Sequence, residues 1–181
     1  SEEECDRIIR VYRETYPRIP ALWRAANKAL KTMMKDKVEE LGKEGILTVE
    51  GSTGIRLPNK LYIKYPNLRT QAAEEEGGYD ETVYDTRKGR AIIPNRIYGG
   101  KVIENVCQAL ARIVIGEQLL RVAKKYKVVM TVHDAIGCIV PEDEVKEGML
   151  AVEKVMRIRP KWAPDLPLDC EGGYGGSYGE C

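Results

Sequence analysis

Apolar residues first recur at helical spacing. Ile8, Val11, Tyr12 and Tyr16 fall on one face of a helix that Ser1 can cap, with Glu4 three residues on and acids filling the first turn. Pro17 and Pro20 interrupt that pattern. A second stripe, Leu22, Ala25, Ala26, Ala29, Leu30 and Met33, predicts a packing helix from about Ala21 to Met34. Between Gly42 and Asn67 the period shortens. "GILTVEGSTGIRLPNKLYIKYPNL" alternates β-branched and tyrosine-bearing runs with Gly, Pro and Asn, which predicts β-hairpins.

The polar stretch "RTQAAEEEGGYDE" that follows predicts a mobile loop, and Arg87–Lys101, "RKGRAIIPNRIYGGK", predicts a basic surface loop. From Val102 to Lys125 the apolar positions Val106, Leu110, Ile113, Val114, Leu120 and Val122 predict the longest helix, with Lys124, Lys125 and Lys127 at its negative end. Gln108 lies on it among apolar neighbours, so a buried amide there needs a partner in the core or on a ligand. Two short apolar runs, Val128–Val132 and Ile136–Val140, predict buried strands. Pro141 and a helix from Glu142 to Arg157 follow, and "LPLDCEGGYG" in the Pro- and Gly-rich tail predicts one more strand. The whole reads as α+β with a mostly antiparallel sheet. It divides into 1–41, helical; 42–100, β-rich and loop-like with the basic segment; and 101–181, the long helix and the strand pair.

Composition changes this picture little. A net charge of +1 argues against a dedicated polyanion binder, yet the charge is uneven, with five basic residues and no acid between Arg87 and Lys101. Five scattered cysteines form no C-x-x-C pair, which speaks against structural zinc or a disulfide framework. The acidic start is unlike a signal peptide and no apolar run is long enough to span a bilayer, so cytoplasmic residence without a membrane partner is expected.

The candidate chemistry sits between the two predicted strands. The chain's sole histidine, His133, precedes Asp134 at what reads as a hairpin turn, where both side chains stand exposed. A rigidly held carboxylate is a good ligand for a hard cation such as magnesium. Asp also commonly caps β-turns, and a lone His is commonly a satisfied core residue. A His–Asp phosphohydrolase site needs further histidines, and the chain has none.

The ordered run "IYGGKVIENVCQALARIVIGEQLLRVAKKYKVVMTVHDAIGCIVPEDE" resembles the palm of family A DNA polymerases, the bacterial DNA polymerase I group, and most closely its phage members. There, a helix carrying a glutamine leads into a strand-turn-strand motif C that ends in V-H-D-E. The tail "RPKWAPDLPLDCEGGYGGSYGE" and the beginning "SEEECDRIIRVYRETYPRIPALWRAA" are similar to the closing segment and the last fingers helices of phage members. The resemblance implies template-directed nucleotidyl transfer with two Mg2+ ions, on primer-template DNA and dNTP, as in replication. It makes Asp134 the motif C metal ligand, sets His133 near the primer terminus, and turns Gln108 towards the duplex. Arg112 faces DNA or core. In the basic segment, Arg87, Lys88, Arg90, Arg96 and Lys101 are candidates for phosphate contacts. A phage-encoded chain would work in the host cytoplasm.

Two departures qualify what is implied. Ala135 stands where motif C has Glu. Motif A, with the other aspartate, and motif B do not occur in the 181 residues. The expectation is a C-terminal fingers and palm segment, inactive alone, completed by a second polypeptide, as in a split polymerase, or by an N-terminal segment. The alternative is a non-catalytic DNA-binding or assembly module derived from a polymerase.

Overall fold

The computed structural model describes residues 1–43, 45–72 and 79–181. They form a mixture of helices and antiparallel strands, in two compact units, Ser1–Ala109 and Leu110–Cys181.

In the first unit, α1 (Glu2–Thr15) starts where Ser1 Oγ accepts the backbone N–H of Glu4 at 3.3 Å, satisfying one of the donors left free at a helix start. None of its residues is buried. Helix α2 (Arg18–Met34) begins three residues earlier than the proline pattern predicts. Pro20 fits inside it because a first-turn residue has no intrahelical use for the N–H that proline lacks. Ala26, Ala29, Leu30 and Met33 are its buried stripe. They face a four-stranded antiparallel meander of β1 (Val38–Glu40), β2 (Thr48–Glu50), β3 (Gly54–Arg56) and β4 (Tyr62–Ile63), to which Val49 and Ile55 contribute fully buried side chains. Each such residue adds about 1.5–3 kcal/mol by leaving water.

A second sheet places β5 (Arg69–Gln71), β6 (Glu81–Lys88) and β7 (Ala91–Arg96) in that order. Two expectations are corrected here. Arg69–Gln71 is strand rather than loop, while 73–78 of the same polar stretch lie outside the described residues. The basic segment is mostly a β-hairpin rather than a surface loop, closed by Gly89 and Arg90. Its cations misled because strand pairing satisfies the backbone whatever the charge of exposed side chains.

Helix α3 runs Gly99–Val122, 24 residues, and its last thirteen belong to the second unit, since Leu110 opens it. Its N-terminus abuts α2. Asn27 Oδ1 accepts the Gly99 N–H at 2.6 Å, and a Cβ on Gly99 would overlap the Trp23 carbonyl. The buried positions of α3 include Val102, Val106, Ile113, Ile115, Gln118 and Val122. Leu120, expected in the stripe, is 66% exposed. Burying Gln118 and Val122, one turn apart, places the residue midway between them about 200° round the helix.

The second unit continues with β8 (Lys127–Val132), β9 (Ala135–Ile139) and α4 (Val145–Met156). Strands β8 and β9 form a two-stranded sheet, and no residue of either is buried, contrary to expectation. Val129 and Ile139 are more than half exposed. A pair lacking a third strand keeps both edges open, so apolar sequence alone cannot bury it. The expected tail strand is absent too. Its backbone is held by side chains of α4 and the residue after it: Gly172 N–H donates to Glu153 Oε1 at 3.1 Å and Arg157 Nη2 to the Cys170 carbonyl at 2.7 Å. Arg157 also donates to Asp169 Oδ1 at 2.7 Å. Among the described residues no helix is long and apolar enough to cross a membrane.

Candidate functional site

Strands β8 and β9 pair Val132 with Ala135, so His133 and Asp134 are the entire connection. Two-residue hairpins need an unusual backbone, with a positive φ at the first loop residue, to match the twist of the strands. His133 supplies it at φ +52°, and Asp134 does not share it. Glycine takes that conformation without steric cost, whereas a side chain there stores about 1–2 kcal/mol. Further down the ladder, Val129 is an extra residue between the Val128–Cys138 and Met130–Gly137 pairs, a bulge of the kind that sharpens twist and re-aims a strand end.

Both loop side chains are exposed, and neither hydrogen-bonds to a described residue. Asp134 is therefore a carboxylate at the tip of a two-residue turn, with no hydrogen-bond partner among the described residues. Among the described residues no group of three or more His, Cys, Asp or Glu side chains could hold a metal ion. The described residues therefore do not by themselves make up a three-ligand magnesium site.

The other expected site residues lie elsewhere. Gln108 is exposed on α3, with its Nε2 3.4 Å from Glu104 Oε1, so it is not the buried amide foreseen. The buried one is Gln118, whose Nε2 donates to the Met156 carbonyl at 2.6 Å. Spacing along α3 does not distinguish the two, because α4 decides which is covered. Arg112, one turn on from Gln108, is also exposed.

The basic segment separates by position. Arg96 pairs with Glu81 and Lys101 with Glu104, each at 2.9 Å, at the base of the β6–β7 hairpin and the start of α3. The Glu104 carboxylate, chiefly by its hydrogen bond, raises the pKa of Lys101 above its ordinary value. Arg87, Lys88 and Arg90 lie at the hairpin's far end, all exposed, with no ion pair to a described residue. Sequence reading missed the exposed isoleucines beside them, Ile92 and Ile93, because their exposure follows from the hairpin running on past Glu81–Val83, where its pairing with β5 ends.

Over 183 aligned positions, 95% of this chain, the sequence is 32% identical to a DNA polymerase of Bacillus phage SP02. The chain is similar to a phage DNA polymerase. It spans about a quarter of that relative's length, 27%. No family model matches the chain, and no solved structure matches it.

Proposed function

We propose that this chain is a segment of a DNA polymerase, of the family A type, and that Asp134 supplies one of the carboxylates its catalytic magnesium ions require. The likeness to the phage polymerase across nearly the whole chain is the observation that carries this reading. The exposed Asp134, in a two-residue turn and without a hydrogen-bond partner among the described residues, supports it, since a metal-binding acid has to be unengaged.

On this reading β8, β9 and their loop are motif C of the palm, and α1 and α2 are the last fingers helices. The remaining carboxylate and the nucleotide-binding residues come from sequence outside these 181 residues, in a longer chain or a companion polypeptide, in the host cytoplasm. His133 stands beside the primer terminus. Gln108 and Arg112, neighbours at i, i+4 spacing on α3, face the duplex. The basic residues Arg96 and Lys101, already neutralised by Glu81 and Glu104, are weaker phosphate ligands than Arg87, Lys88 and Arg90.

A second reading, a DNA-binding or assembly module without chemistry, is favoured by Ala135 in the third motif C position and by the single acid at the loop. Asp134→Asn separates the two. In the natural protein that contains this sequence, primer extension should fall at least about a hundredfold with DNA binding retained. Extension at the wild-type rate would sink the catalytic reading and leave the second.

A further inference from the structure

The β6–β7 hairpin is a ribbon that projects beyond its sheet. Strand β5 pairs with β6 only at Glu81–Val83, opposite Arg69–Gln71. The base is then fixed at Asp85, whose backbone N–H donates to the Pro66 carbonyl at 2.8 Å and whose carboxylate accepts from Asn67 and Arg69. Tyr84 packs edge-on against Tyr65 and accepts a hydrogen bond from Asn95 Nδ2 at 3.2 Å. Among the described residues, Thr86–Pro94 make no hydrogen bond outside the β6–β7 pair itself.

Ladder register distributes chemistry evenly over that projection. Arg87 lies opposite Ile92, and on the other face Lys88 and Thr86 lie opposite Ala91 and Ile93. Adjacent strand residues point to opposite faces, so each face of the ribbon carries one cation and one isoleucine, with Arg90 in the loop between them. Ile92 is 69% exposed and Ile93 36%. Exposed cations call for a polyanion, and exposed isoleucines call for apolar surface within a few ångströms of its charges.

We propose that this ribbon tip binds an unpaired nucleic-acid strand that wraps over the loop and meets both faces, with Arg87, Lys88 and Arg90 on its phosphates and Ile92 and Ile93 against its bases. The choice of nucleic acid as the polyanion rests on the polymerase reading. A duplex presents phosphates but hides its base faces in the stack, so the isoleucines meet nothing there, whereas an unpaired strand offers both surfaces together.

Fluorescence anisotropy of the full chain tests this, with a labelled single-stranded oligonucleotide, a blunt duplex of the same sequence and anionic phospholipid vesicles as ligands. The triple substitution Arg87→Ala, Lys88→Ala, Arg90→Ala should weaken single-strand binding at least about tenfold and reduce the slope of log K against log salt by about two. Ile92→Ser with Ile93→Ser should weaken single-strand binding several-fold and leave duplex binding unchanged. Arg90→Glu, confined to the loop, repeats the test without touching either strand. Wild-type affinity in the triple or Arg90→Glu variant overturns the proposal. So do equal losses on strand and duplex in the isoleucine variant, or a preference for vesicles. Asp134→Asn should bind the single strand normally, so failure of the ribbon shows in binding and failure of the polymerase reading shows in primer extension.

Discussion

His133 occupies, in the β8–β9 hairpin, the position that Gly89 occupies in the β6–β7 hairpin: each is the first residue of a two-residue connection, and each has positive φ, +52° and +62°. Gly89 is the expected residue for that place and His133 is not. On the polymerase reading proposed above, the place of the imidazole beside the primer terminus is what would offset that strain.

His133→Gly should therefore leave stability within about 1 kcal/mol of wild type, since relief of the positive-φ strain offsets glycine's greater freedom when unfolded. Primer extension by the natural protein should fall at least about tenfold. His133→Val, β-branched at positive φ, should cost about 1–3 kcal/mol. Urea denaturation and extension assays on the two variants check this. A glycine variant with full extension would show the histidine to be dispensable.

Gln118 and Gln108 should respond oppositely to truncation. Gln118→Ala removes the bond to the Met156 carbonyl at the end of α4 and should cost about 1–3 kcal/mol. Gln108→Ala on the exposed side should stay within about 0.5 kcal/mol. Urea midpoints decide it.

Two glycines of α3 should diverge more sharply. Gly116 has open space around a would-be Cβ, so Gly116→Ala should stabilise by about 0.5–1 kcal/mol through helix propensity alone. Gly99→Ala would drive a methyl into the Trp23 backbone and should destabilise by about 2 kcal/mol or more. Thermal melts of both variants give the comparison.

Acid should loosen the base of the ribbon. The Asn67 amide and then the Arg69 guanidinium hold the Asp85 carboxyl below its ordinary pKa. A depressed folded pKa means stability that is present above the unfolded value, about 4, and is lost as pH falls through the folded one. Between pH 5 and 3 wild type should lose more stability than Asp85→Asn. The protection of the residue-85 amide against hydrogen exchange, relative to its intrinsic rate at each pH, should fall over the same range in wild type alone.

Local pattern made the helices legible, because capping at Ser1 and the 3.6-residue stripes of α1, α2 and α3 are properties of consecutive residues. The His133–Asp134 turn was legible for the same reason, between two β-branched runs. What sequence missed was set by neighbours far along the chain. Gln118 is buried because Met156 ends α4 beside it, and β8 and β9 stay exposed because, among the described residues, no third strand joins them. The tail forms no strand because Glu153 and Arg157 take up backbone groups that a ladder would have used. The basic segment was misread for want of one fact, that Arg87 and Ile92 stand opposite each other.

The shortness of the β8–β9 connection also bears on how such a protein can diverge. With Val132 paired to Ala135, one residue added to or lost from the loop would shift the ladder and exchange its two faces. The ladder thus fixes the number of residues in this turn independently of what the side chains at 133 and 134 do. Among descendants of this sequence that keep the hairpin, insertions and deletions will gather elsewhere, even in those that have lost the His or the Asp.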